Sequence, residues 1–451
     1  MDSVSRFLEI AVGYAWGLPL VILSVGGGLY LTFLHRGIQL RGFRHAIHVL
    51  RGKYDKPEDE GDITHFQALS AALSATIGLG NIAGVAVAMS AGGPGALVWM
   101  WLVAFVGMAT KFTTCSLAVM YRNIHEDGSA SGGPMYYIEL GLGEAWKPIA
   151  VLFAVLGFIA TFGGGNMFQS NQVAAALNEH FQVPRFATGL LLAFAVGLVI
   201  IGGIRRIGQV ASRIVPFMCV IYMVGGITVI LMNIQLIPEV FRQIFEGAMS
   251  GTAAVGGFAG AGVRQVLLQG VRRATFSNEA GLGSAPMAHA AAKTKEPIRE
   301  GLVAMLGPFV DTILICSTTA LVIVSTGAWT NTQDLSGVNL TILAFDSGLP
   351  GFGKYVVSAG VTLFAYSTMI SWSYYGEKCI EYLIGSRAIT PYRWAYITAL
   401  FFGCIWTLQP VLDFSDIMFA SMIVPNLTGT LLLSLRVRTA MESYLGRYGW
   451  E

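Results

Sequence analysis

Runs of about 20 predominantly apolar residues recur from one end of this chain to the other, divided by short polar or Gly/Pro-rich segments. A run of that length spans the hydrocarbon core of a bilayer as an α-helix. On this criterion the pattern predicts helices near 13–34, 64–90, 95–121, 148–177, 186–204, 209–232, 262–292, 299–327, 353–379, 391–408 and 413–435, about 11 transmembrane helices in all. A partly amphipathic stretch, Leu236 to Ser250, separates the sixth from the seventh. Arg264, Arg272, Arg273 and Glu279 interrupt the seventh run, which a plain hydropathy scan passes over. It is retained because of a repeat described below. The first run lacks a basic leader and a small-residue cleavage site, so it is expected to stay in the protein as a helix.

Composition sharpens the picture. Hydrophobic residues make up 54% of the 451 and charged residues 12%, against roughly 25% charged residues in an average soluble domain. The chain therefore reads as a single transmembrane domain, 1–451, in contact with the lipid bilayer, and a soluble two-domain enzyme is excluded. A net charge of +2 argues against nucleic acid as a partner. The five cysteines, Cys115, Cys219, Cys316, Cys379 and Cys404, fall singly in or beside apolar runs and read as small buried residues, in no disulfide or transition-metal motif.

Lysine and arginine divide unevenly between alternate loops. One set carries 20 of them, from Arg36 to Arg447, and the other carries Arg6, Arg185, Arg242 and Lys354. The positive-inside rule then puts the N-terminus outside and the C-terminus in the cytoplasm.

The most informative feature is a glycine pattern that occurs twice, Thr76-Ile77-Gly78-Leu79-Gly80-Asn81 and Glu279-Ala280-Gly281-Leu282-Gly283-Ser284. Each lies in the middle of an apolar run, where a glycine costs about 1 kcal/mol of helix stability relative to alanine. Close helix packing accounts for one such motif. Two at corresponding places point instead to the broken helices that build the binding site of an inverted-repeat transporter. The predicted helices sort accordingly into an extra first helix (13–34), a five-helix unit 64–232 (helices 2–6) and a second five-helix unit 252–435 (helices 7–11). Because five is odd, the second unit enters the membrane from the opposite face.

Breaks of this kind offer a small solute that carries both a negative and a positive charge a complement to each. Helix N-termini attract anions and helix C-termini attract cations. Amides around Gly78 to Asn81 are therefore expected to receive a carboxylate, and carbonyls near Phe276 to Asn278 an ammonium. The candidate substrate site comprises Thr76, Gly78, Leu79, Gly80, Asn81, Gln169, Phe276, Ser277, Asn278, Met369 and Trp372. Asn166, Gln169 and Gln172 recur every three residues and share roughly one helix face; Gln169 is the preferred substrate contact, while hydrogen bonding between helices accounts equally well for the other two. Thr368 and Trp372 form an i, i+4 pair, and Trp372, Met369 and Phe276 would cap a small cavity. Ordinary packing is an equal alternative for Trp372. Glu279 is expected to hold the unwound backbone, with a cation or Arg272 or Arg273 as alternative partners. Asp311 suits cation coupling, proton transfer or a pair with a neighbouring helix. His65, His125 and His289 lie near helix ends on the cytoplasmic side, away from a proton path.

The stretches Gly61-Asp62-Ile63-Thr64-His65-Phe66-Gln67-Ala68-Leu69, Ala75-Thr76-Ile77-Gly78-Leu79-Gly80-Asn81-Ile82-Ala83-Gly84, Gly92-Gly93-Pro94-Gly95 and Phe276-Ser277-Asn278-Glu279-Ala280-Gly281-Leu282-Gly283-Ser284-Ala285-Pro286 resemble the alanine or glycine:cation symporter family. That family is a branch of the amino acid/polyamine/organocation superfamily. The resemblance covers nearly the whole chain. It implies an all-α polytopic membrane protein with a leucine-transporter-like 5+5 inverted repeat whose helices 2 and 7 are broken. It also implies symport of alanine, glycine or a related amino acid into a prokaryotic cell, driven by sodium or protons, with no other cofactor. A more distant similarity of Gly78-Leu79-Gly80-Asn81 and of Phe276 with Gly281-x-Gly283 to the neurotransmitter:sodium symporters implies a cation site of Ser74, Ile77, Ala365 and Thr368. The same similarity implies a second site using Thr76, Asn81 and Ser277.

Two rivals come from other classes. A membrane enzyme needs a nucleophilic, metal or dicarboxylate constellation, which the sequence does not supply. A channel does not account for paired breaks in an inverted repeat. Glutamine or another small solute on the same fold remains open.

Overall fold

A computed structural model describes residues 2–56, 58–126, 128–250, 262–330, 337–406 and 408–449. With no water in a bilayer core, each crossing segment must satisfy its own backbone, and helices do so. In order they are α1 (Asp2–Ala15), α2 (Leu18–Leu34), α3 (Phe43–Leu50), α4 (His65–Thr76), α5 (Gly80–Gly92), α6 (Ala96–Met120), α7 (Pro134–Leu142), α8 (Glu144–Phe181), α9 (Arg185–Ile200), α10 (Gly203–Met232), α11 (Ile237–Ser250), α12 (Val263–Asn278), α13 (Ala285–His289), α14 (Pro297–Ser325), α15 (Val338–Gly348), α16 (Gly353–Ile384), α17 (Ile389–Ile405) and α18 (Leu408–Tyr448). A two-stranded hairpin, Asn123–Ile124 against Ala130–Ser131, joins α6 to α7.

Among the described residues α6, α8, α10, α14, α16 and most of α18 are long and apolar enough to cross a membrane singly. Helices α4 and α5 meet that test together but bend by 52° at their junction. A capping box starts α4: the Thr64 hydroxyl accepts the Gln67 amide, and the Gln67 side chain accepts the Thr64 amide. The predicted seventh helix is likewise two pieces, α12 and α13, and Glu279, Gly281 and Gly283 between them all have left-handed φ values. Both broken helices are thus present. The predicted second unit starts at 252, which lies outside the described residues.

Other boundaries differ from expectation. Helix α9 stops at Ile200, and Gly203, at φ +63°, turns the chain so that α10 begins six residues earlier than its apolar run. Helix α18 continues past 435 to Tyr448, where Arg438 pairs with Glu442 one turn on and Arg447 pairs with Glu296. The partly amphipathic stretch forms α11.

Helix α2 stands beside α6 and α18. Gly28 allows this approach: a Cβ there would lie 3.0 Å from Val106. Large apolar side chains such as Leu191 and Phe194 of α9, Phe217 and Val220 of α10, and Leu432 and Leu435 of α18 point outward. An exposed belt of that kind fits lipid and not water. The interior carries polar residues, which collect around the two breaks.

Candidate transport site

The first break joins α4 to α5 through Ile77, Gly78 and Leu79. Its backbone donors are met by neutral amides: Gly78 N–H donates to Asn81 Oδ1 at 3.0 Å and Leu79 N–H to Gln169 Oε1 at 3.3 Å. The two glycines serve close approach. A Cβ on Gly78 would lie 2.5 Å from Thr368 Oγ1, and one on Gly80 would lie 3.0 Å from the Ser277 Cα. Of the amides expected to receive a carboxylate, those of Gly78, Leu79 and Asn81 are therefore partnered in this conformation, and Gln169 is the side chain that holds one of them. Gln169 is placed there by α8, which relaxes into a π-turn at Gly163–Met167, and its Nε2 donates to Gly164 O at 2.9 Å. That turn also separates the three amides expected to share a face. Asn166 donates to Tyr396 O on α17 at 2.8 Å, whereas Gln172 lines a cavity at one end of the site.

The second break is held differently. Glu279 adopts φ 54°, an uncommon value for a residue with a side chain, and its carboxylate accepts Trp372 Nε1–H at 2.9 Å and the Ser284 hydroxyl. Asn278 Oδ1 accepts the Ala280 amide at 2.9 Å, and Asn426 Nδ2 donates to Gly281 O at 2.6 Å. Of the partners expected for Glu279, Arg272 and Arg273 are ruled out because both turn to Asp416 on α18.

Helices α4 and α16 cross at a polar contact. Thr368 Oγ1 donates to Ser74 O at 3.0 Å, and Ser74 Oγ donates to Ser367 O at 2.6 Å. Ile77, just past the end of α4, and Ala365 on α16 are both fully buried. A second cluster joins both breaks to α14. Asp311 accepts Asn81 Nδ2 at 2.6 Å, Ser277 Oγ at 3.0 Å and Thr312 Oγ1 at 2.7 Å, while Asn278 Nδ2 donates to Thr312 Oγ1 at 3.1 Å. Thr76 turns its hydroxyl back to Leu73 O at 3.4 Å. Cys316 Sγ lies 3.3 Å from both Asn81 Nδ2 and Ser277 Oγ, so one cysteine taken for plain packing sits in the polar cluster. A carboxylate with several neutral oxygens around it is the donor chemistry of a hard cation.

Aromatic rings bound this region. Trp372 stacks on Phe419 at 5.1 Å and lies against Gly165, where a Cβ would collide with the indole. Phe276 contacts Phe168 at 5.6 Å and Phe419 at 5.0 Å. Met369 is buried, and its carbonyl accepts Tyr396 O–H at 2.8 Å. Phe168, Phe419 and Tyr396 are lining residues the sequence offered no signal for, because each sits inside an apolar run.

The two ends of the site are unlike. On one side a cavity of about 400 Å³ reaches Phe276 between Gly84, Gln172, Arg272, Arg273 and Val12 of α1. On the other, His65 at the start of α4 and His289 at the end of α13 each bond one oxygen of the fully buried Glu300. Arg122 adds a staple, donating to Ala290 O, Ala292 O, Thr294 O and Glu60 O at 2.6–3.0 Å. Both half-helices on that side are thus tied to one carboxylate. The two histidines, expected only at helix ends, turn out to be fasteners. His125 bonds Ser131 in the hairpin, away from the site.

The sequence profile of the sodium:alanine symporter family matches residues 1–448. A sodium/alanine symporter of Methanococcus maripaludis is 45% identical over 438 residues, which cover 96% of this chain and 95% of the relative. A probable sodium/glutamine symporter of Bacillus subtilis is 36% identical over 446 residues, covering 98% and 91%. Among solved structures, an Eremococcus coleocola manganese transporter aligns with a TM-score of 0.51 at 13% identity, covering 85% of this chain and 81% of its own. That likeness concerns the fold, which is the leucine-transporter-like one.

Proposed function

The chain belongs to the sodium:alanine symporter family, is an amino acid:cation symporter and not an enzyme, and from that premise we propose that it imports alanine or glycine with sodium by alternating access. The observation that carries the proposal is the convergence of both helix breaks on one buried polar cluster. There Asn81 beside the first break and Ser277 beside the second both donate to the Asp311 carboxylate, and Gln169 accepts the Leu79 amide of the first break.

The substrate would displace internal partners. Its carboxylate takes over the Gly78 and Leu79 amides from Asn81 and Gln169, and its ammonium faces the C-terminal carbonyls of α12 around Phe276 to Asn278. The rings of Phe276, Trp372 and Phe419 pack on one another, and a small side chain such as that of alanine, or none as in glycine, asks least of them. Sodium would be held at the α4–α16 crossing by the carbonyls of Ser74, Ile77 and Ala365 with the Thr368 hydroxyl. A second sodium would be held by Asn81, Ser277 and Asp311, with Thr76 beside them.

Binding of both solutes stabilises a conformation that closes the cavity at Phe276. Release on the far side requires parting His65 and His289 from Glu300 and drawing the Arg122 staple. In this reading the fastened side faces the cytoplasm and the N-terminus the outside, the orientation that the lysine and arginine count of the loops favours. Each sodium moved inward across 100 mV supplies about 2.3 kcal/mol, enough with its own gradient to concentrate a neutral amino acid.

The test is uptake of radiolabelled alanine, glycine and glutamine into liposomes containing the purified protein, with and without an inward sodium gradient at matched pH and potential. Sodium-dependent accumulation of alanine or glycine is expected. Accumulation of glutamine alone would transfer the assignment to the larger amide, and uptake driven equally by a proton gradient would remove sodium as the coupling ion.

A further inference from the structure

Lys111 lies in the middle of α6, a 25-residue apolar helix, and is 2% exposed. An ammonium at that depth is costly and calls for a role. Among the described residues its ammonium enters no ion pair or hydrogen bond, although its carbonyl accepts the Thr114 hydroxyl at 3.3 Å.

Its neighbours locate it. Gly107, one turn before it, abuts Ala280, the residue after Glu279. Cys115, one turn after it, packs with Ala72 of α4 and Ala285 of α13. Lys111 therefore stands beside the second break. Its Nζ points at Gly307 of α14, where a Cβ would lie 3.5 Å away, and Gly307 precedes Asp311 by four positions, so the two share a helix face. Glu279 and Asp311 are both within Coulombic reach of the ammonium, as is the Cys115 thiol.

With all three groups ionised, Glu279 and Asp311 carry two negative charges against the one positive charge of Lys111, a net charge of minus one. We propose that Lys111 is a resident counter-ion of the Asn81–Ser277–Asp311 site, cancelling one carboxylate charge so that one transported cation neutralises the cluster and can still leave it. The inference rests on the reading of that cluster as a cation site. A tethered positive charge weakens cation binding through repulsion, and in a low-dielectric interior such an effect is large. Release to the cytoplasm requires binding that is not too tight.

The experiment measures the sodium concentration giving half-maximal alanine uptake in liposomes for the wild type, Lys111→Met, Lys111→Arg and Asp311→Asn. Lys111→Met is expected to lower it at least ~10-fold, equivalent to about 1.4 kcal/mol, while Lys111→Arg, which keeps the charge, stays near the wild type. Unchanged or weakened sodium dependence in Lys111→Met overturns the proposal. If Asp311→Asn shifts the dependence and Lys111→Met does not, only the counter-ion inference fails; if neither shifts it, the cation-site reading fails as well. Should Lys111→Met not fold, Lys111→His makes the comparison within one protein. Its sodium dependence should tighten between about pH 5.5 and pH 8.5, as the imidazole loses its charge, relative to the wild type over the same range. A parallel response in the two proteins overturns the proposal.

Discussion

The two broken helices share a Gly-Leu-Gly signature and use it for different reasons. At the first break neither glycine has a left-handed backbone; both are needed because Thr368 and Ser277 press against the chain. At the second, Gly281 and Gly283 have φ values of 92° and 90°, and the turn itself requires them. The partners differ as well. Neutral amides of Asn81 and Gln169 satisfy the first break, whereas a buried carboxylate, Glu279, holds the second through Trp372 and Ser284. A substrate can displace neutral hydrogen bonds at modest cost, while freeing a buried carboxylate from its donors is expensive. The first break is therefore suited to exchange partners during transport, and the second to stay rigid.

Substitutions separate the two. Gly283→Ala should cost most: the left-handed backbone penalty and the clash with Pro134 Cγ, 2.7 Å from the new Cβ, together amount to about 3 kcal/mol, seen as a fall in the thermal unfolding midpoint of the purified protein. Trp372→Phe removes one donor from Glu279 and should destabilise by about 1–3 kcal/mol in the same assay. Gly80→Val, in contrast, should leave a folded, membrane-inserted protein and abolish alanine uptake; substantial uptake would mean the first break is not a close-approach site. Thr368→Ala should raise the half-saturating sodium concentration about 10-fold, equivalent to about 1.4 kcal/mol, with the midpoint little changed. The smallest effect belongs to Gln169→Ala, which loses two neutral hydrogen bonds, one to Gly164 O and one from the Leu79 amide, of which only the second, about 1 kcal/mol, bears on the substrate. Because the substrate carboxylate takes the Leu79 amide over from Gln169, the change should lower the alanine KM, by about fivefold at most, and a raised KM would show that Gln169 itself holds the substrate.

Much of this architecture was legible because membrane helices announce themselves by length and because paired glycines inside apolar runs are costly. The bend at Gly78 and the interruption at Glu279 both follow from that signal. Pairings between distant segments carried no local signal. Asp311 reads alone as a buried carboxylate, and only the fold brings it to Asn81 and Ser277, 230 and 34 positions away. Arg272 and Arg273 lie near Glu279 in sequence, yet helical geometry turns them to Asp416 on α18. Lys111 was passed over because one cation does not spoil a 25-residue apolar run. The His65–Glu300–His289 fastening escaped for the opposite reason: helix ends in a polar loop look solvated until the fold buries them.

The most direct test of coupled transport is the entry of radioactive sodium into sodium-poor liposomes containing the protein, measured with and without external alanine while the membrane potential is clamped at zero. The account predicts that alanine accelerates sodium entry, that glycine does the same, and that Gly80→Val abolishes the acceleration. Sodium entry indifferent to alanine and glycine, in a preparation that still accumulates the amino acid, would contradict it.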